Sequence, residues 1–213
     1  MATLQLFTAA GCGLAIGRYP RFRYNAQGGG GTALLGERDA AGWQPLAFDP
    51  ASLSIPPLDW RTTRVLGLPL PPGLRITIEP QLLAGRWQPA TGVVELGFGA
   101  RFRFALAGLY QAPDLILQTQ LGTGEGRGQR HNALGQPLDP EGRGVLVGVA
   151  MVQPTGDTWL DRFLGLPDEA LAVLRCRITP DQPALEGAPP GATPGWPGPG
   201  VAWRGATAAS AGP

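Results

Sequence analysis

Residues 93 to 107 read VVELGFGARFRFALA, and no other stretch restricts the folding of this chain so sharply. Val94, Leu96, Phe98, Ala100, Phe102, Phe104 and Leu106 alternate with Val93, Glu95, Gly97, Gly99, Arg101, Arg103 and Ala105. A period of two places one apolar and one mixed face on a strand. Unbroken, that strand would approach roughly 50 Å. Such a length implies bending around a barrel or sandwich corner, and Gly97 and Gly99 are the natural places for it.

The neighbouring segments repeat the period. LRITIEP at 74 to 80 sets Leu74, Ile76 and Ile78 against Arg75, Thr77 and Glu79, and AGRWQPATG then reads as the turn of an antiparallel hairpin. DLILQTQL at 114 to 121 puts leucine and threonine on one face and glutamine on the other. GVLVGVAMVQ at 144 to 153 is apolar on both faces, as in a strand covered on each side. LAVLRCRIT at 171 to 179 and RFRYNAQ at 21 to 27 complete the set.

One helix is expected. Within TGDTWLDRFLGLP, 155 to 167, Thr155 or Asp157 serves as N-cap, and Trp159, Leu160, Phe163 and Leu164 follow at helical spacing. Prolines crowd 45 to 73, which reads as an irregular or polyproline-like crossover. From Asp181 the chain is dense in proline, glycine and alanine, which predicts a disordered tail despite Trp196 and Trp203. The expected fold is all-β, mainly antiparallel, barrel-like or a curved sheet or sandwich, with a single domain over 1–180 and the tail over 181–213.

Composition narrows the chemistry. The 213 residues carry a net charge of +1, so no overall field draws the chain to nucleic acid. All 17 basic residues are arginine, which excludes Schiff-base and P-loop lysines. Gly28 to Gly31 lack a following Lys-Ser/Thr, so they read as a slack loop after a strand rather than a phosphate cradle. The single histidine, His131, lies in a glycine-rich loop, and no metal or cofactor is expected. No serine stands in a nucleophile elbow. Cys176 falls on an apolar strand face and Cys12 is isolated, so both read as buried thiols. Asp157, Asp161, Asp168 and Glu169 could line a cleft, although capping and solvation account for them more simply.

The N-terminal segment lacks a basic leader region, and its AAGC lacks the leucine of a lipoprotein box, so a cytoplasmic protein with peripheral membrane association is expected. Arginine pairs recur in RFRY, RFRF and RCR, namely Arg21 and Arg23, Arg101 and Arg103, Arg175 and Arg177. If their strands are neighbours, these six form one outer patch suited to phosphates, carboxylates or an anionic membrane surface. The paired aromatic residues then point inward, away from any nucleic acid.

Two functions of different class follow, with an enzyme of unrecognised type as a third. In the first, a non-catalytic β-barrel-like module encloses a small hydrophobic molecule (lipid, isoprenoid or pigment) or docks on a membrane or membrane protein complex through its arginine face. Leu96, Phe98, Phe102, Phe104 and Leu106 would line its interior. In the second, an assembly factor without a cavity uses Trp43, Trp60 and Trp87 and the proline-rich segment as anchors.

Overall fold

A computed structural model describes residues 2–180, and the tail expected to be disordered, with Trp196 and Trp203, lies outside the described residues. The described chain is mostly antiparallel β-sheet, with one short α-helix among the described residues. In order, β1 (Thr3–Thr8), β2 (Cys12–Ile16), β3 (Phe22–Tyr24), β4 (Gly30–Leu35) and β5 (Gln44–Phe48) precede a short hairpin of β6 (Thr63–Val65) and β7 (Leu68–Pro69). The long pair β8 (Leu74–Gln88) and β9 (Val93–Leu106) follows, then β10 (Tyr110–Gln111), β11 (Leu115–Gly122), and the small hairpin β12 (Glu125–Arg127) and β13 (Asn132–Leu134). The remaining elements are β14 (Arg143–Val152), the helix α1 (Thr158–Leu164) and β15 (Asp168–Pro180).

Hydrogen-bonded neighbours run β1, β4, β5, β8, β9, β11, β14, β15, and β15 pairs with β1 again, so the circuit of pairings returns to its start. β15 also carries a branch. Its Cys176–Pro180 half pairs with β1, whereas Ala170–Val173 pair with β2, which continues through β3 to β6 and β7.

The alternation of residues 93 to 107 is realised in β9, with Val94, Leu96, Ala100 and Phe104 buried. The strand pairs with β8 from Leu74↔Leu106 to Gln88↔Val93, and a bulge between Pro80 and Leu82 faces Ala100 and Gly99. The extra residue bends the pair there. The turn is shorter than its composition suggests: Ala84 to Gln88 extend β8, and only residues 89–92 turn, closed by Gly92 N–H on the Gln88 carbonyl at 2.9 Å.

The crossover at 45 to 73 also holds more strand than its prolines imply. β5 pairs Pro45 with Arg86, while β6 and β7 form their own hairpin. β14 is covered on both faces. Leu146 joins the inner core, and Val147 packs outward with Ala15, Leu171 and Val173 beneath Ala133 of β13.

In α1 the Asp157 carboxylate accepts the Leu160 N–H at 2.8 Å, and Gly165 ends the helix in the left-handed region. Leu160 and Leu164 are buried against Phe104, Leu115 and Val152, so the helix plugs one end of the sheet.

The four-glycine run is not slack. Gly30 and Gly31 begin β4, opposite Phe7 and Leu6 of β1, and Gly30 also exchanges hydrogen bonds with Ser54. A Cβ on Gly30 would lie 2.0 Å from the Leu6 carbonyl oxygen, and its φ is +151°. One on Gly31 would meet Leu53 at 2.6 Å. The glycines admit two strands and a crossing segment where side chains would not fit. Gly30→Ala is therefore expected to lower stability by about 2–4 kcal/mol. Gly28 has φ +88° but open space around it, so Gly28→Ala is expected to cost about 1 kcal/mol. Urea unfolding midpoints of the two variants check the ranking.

Candidate ligand cavity

Behind α1 the inner faces of the strands do not meet. They line a partly open cavity of about 210 Å³. β8 and β9 supply Ile76, Ile78, Phe98, Phe102 and Phe104. β11 adds Leu115 and Leu117, β15 adds Ala172 and Leu174, and the branch strands add Cys12, Phe22 and Tyr24. Leu164 closes the helix end. The strand period dictates this wall, because every second residue of β9 and β11 must face inward.

Among the described residues, no arginine, histidine, aspartate or glutamate lines the cavity. Most of its few polar side chains are occupied by the protein itself, and the exposed Ser54 also borders it. The Thr8 hydroxyl donates to the Ala26 carbonyl and the Tyr24 hydroxyl to that of Pro56. Thr119 donates to Val149 at 2.9 Å, and the Cys12 thiol to Ala9 at 3.3 Å. Burial pushes the Cys12 thiol above its ordinary value and the Tyr24 phenol well above its own. Cys176 is buried in the neighbouring core, where desolvation pushes it up to about 12. Both cysteines are free and buried.

Of the residues expected to line an interior, Leu96, Phe98, Phe102 and Phe104 face this cavity. Leu106 does not. At the end of β9 it is 37% exposed and pairs with Tyr110. Phe22, Tyr24 and Cys12 also contribute, through a branch whose position beside β15 depends on pairings between residues far apart in sequence.

The arginines do not form one patch. β9 is separated from β15 by β11 and β14, so Arg101 and Arg103 lie apart from Arg175 and Arg177. Arg103 pairs with Glu79 at 2.9 Å and with Asp114 at 3.5 Å, and Arg101 with Asp114 at 3.4 Å. Arg177 donates to the Glu141 carbonyl at 3.0 Å, and Arg175 flanks Gly11. Arg21 lies over Gly13, and Arg23 stands opposite Arg64. Strand order, which the sequence does not carry, decides this outcome.

The carboxylates singled out earlier serve the backbone. Asp161 accepts from the Thr155 N–H and hydroxyl at 2.7 Å, and Asp168 pairs with Arg130 at 3.0 Å. Glu169, 6% exposed, accepts the N–H groups of Gln129, Arg130 and His131 at 2.6, 2.8 and 3.1 Å. This nest ties the β12–β13 turn to β15. Among the described residues, no group of three or more histidine, cysteine, aspartate or glutamate side chains could hold a metal ion. Trp43 lies under the Arg86 guanidinium at 4.2 Å and Trp60 under Arg61 at 4.9 Å, while Trp87 packs on the core. No helix among the described residues is long and apolar enough to cross a membrane.

No protein-family model, curated protein or solved structure matches this chain.

The backbone N–H groups of Arg130, Gln129 and His131 hold the Glu169 carboxyl below its usual value. A depressed folded-state pKa contributes stability that is present above the unfolded-state value and is lost as pH falls through the folded one. Glu169→Gln is accordingly expected to cost about 1–2 kcal/mol at neutral pH. In wild type, amide protection over residues 125–134 should weaken below the ordinary glutamate range, while the variant shows no such pH step. Hydrogen exchange across acid pH measures both.

Proposed function

We propose that this protein is a non-catalytic, barrel-like binding module that encloses a small apolar molecule. The partly open apolar cavity behind α1 carries the proposal. The ring of strand pairings supports it by giving that cavity a wall, and the chemistry of the lining defines what would fit.

A cavity of about 150 Å³ takes benzene, so by proportion one of 210 Å³ holds roughly eight carbon atoms. The ligand is therefore a small hydrocarbon-like molecule, or the terminal segment of a longer lipid or isoprenoid chain whose remainder lies outside. An ionised head group is disfavoured inside, since the Thr8, Tyr24 and Thr119 hydroxyls and the Cys12 thiol donate to backbone carbonyls and no cation among the described residues lines the cavity. The strand arginines are a weaker basis for function, because those of β9 already have carboxylate partners.

Ala172→Phe would place a ring inside the cavity. Ligand-observed NMR with toluene is expected to show saturable binding to wild type, weakened roughly tenfold or more by the substitution. A retained cooperative unfolding transition in the variant shows that the fold survives. Absence of saturable binding to wild type would contradict the proposal, as would equal binding to both proteins.

A further inference from the structure

The end of the sheet that α1 plugs carries linked aromatic rings on its outer surface. Four rings form a continuous line across it. Tyr110 meets Trp159 edge-on at 5.1 Å, Trp159 stacks on Phe163 at 5.1 Å and 4°, and Phe163 meets Tyr19 at 5.6 Å. Trp159 is 52% and Phe163 42% exposed, although their neighbours Leu160 and Leu164 are buried. Leu109, at the tip of the adjoining β9–β10 turn, is 93% exposed. Helical spacing explains the arrangement: one face of α1 fills the core, and the other presents apolar rings to the outside.

Charges of both signs border this patch, since Asp161 lines the same groove as the arginines and its hydrogen bonds keep it ionised. Arg18 and Arg162 line the shallow groove beside Tyr19 and Phe163 and have no hydrogen-bond or ion-pair partner among the described residues. The nearby acids are occupied, Asp157 by the Leu160 N–H, Asp161 by Thr155 and Gly156, and Asp168 by Arg130.

The geometry points to this end as a docking surface for a bilayer containing anionic lipid. The rings would enter the interfacial layer, where tryptophan and tyrosine settle, and the two arginines would meet lipid phosphates. Unpartnered guanidinium groups bordering apolar rings complement such a surface. The same helix separates the patch from the cavity, so docking would bring the apolar interior next to hydrocarbon.

The test is flotation of the full chain with vesicles of phosphatidylcholine alone and of phosphatidylcholine mixed with phosphatidylserine. Wild type should float with the mixed vesicles. Trp159→Ser with Phe163→Ser, and separately the fold-neutral Leu109→Ser, should each reduce recovery, the first by roughly tenfold. Arg18→Ser with Arg162→Ser should remove the preference for anionic vesicles, whereas Arg101→Ser with Arg103→Ser should change nothing. The inference is overturned if wild type floats with neither vesicle, if the ring variants match wild type, or if only the Arg101 and Arg103 pair matters. It is equally overturned if this face instead mediates dimerisation without flotation. Flotation does not depend on what fills the cavity, so its failure and the failure of toluene binding are separate outcomes.

Discussion

The architecture depends on how one strand shares one edge. β15 offers a single row of backbone groups to two partners, β2 over Ala170–Val173 and β1 over Cys176–Pro180. Between them the chain leaves β1 and re-enters at β2, a gap that would leave buried backbone groups without partners. Two bonds fill it. Ala9 N–H donates to the Arg175 carbonyl at 2.9 Å, and the Arg175 N–H donates to the Cys12 sulfur at 3.3 Å. A buried polar group left unpaired costs about 1–3 kcal/mol, so Cys12 has a structural role that its chemistry as a thiol would not suggest.

The split divides the interior. Where β15 pairs with β1, the interior is filled by Leu4 and Leu46, both essentially inaccessible, while the equally buried Leu96 and Leu146 border the cavity. Where it pairs with β2, the branch through β3 stands as an additional wall and the facing side chains no longer interdigitate. Phe98 and Phe102 point inward from β9 yet retain intermediate exposure, and both line the cavity. Close packing at one end and space at the other thus follow from one strand changing partners. The Thr8, Tyr24 and Thr119 hydroxyls are engaged locally, so the lining that faces the space is chiefly apolar.

The sequence was most informative where structure is local. The alternation of β9 identified its inward face, and Asp157 with the spacing of Trp159, Leu160, Phe163 and Leu164 marked the helix, although only the two leucines are buried. It was silent where meaning depends on distant partners. Gly30 is needed because of the Leu6 carbonyl, which only the β1–β4 pairing brings near. Pro45 disguised β5, although an edge-like pairing with Arg86 accommodates it. The six arginines share a motif but not a surface, since strand order separates β9 from β15. Leu106 kept the strand period but had run past the end of the enclosed space. The cavity itself is the volume left by these distant pairings, so only its apolar character could be read in advance.

The central claim is that the space behind α1 holds an apolar molecule. Native mass spectrometry of the full chain, purified from its own cells without detergent, tests this most directly. The account predicts a stoichiometric apolar adduct that is released on denaturation and is missing from Ala172→Phe prepared in the same way. Wild type at the bare chain mass, which then fails to take up added toluene, would contradict it.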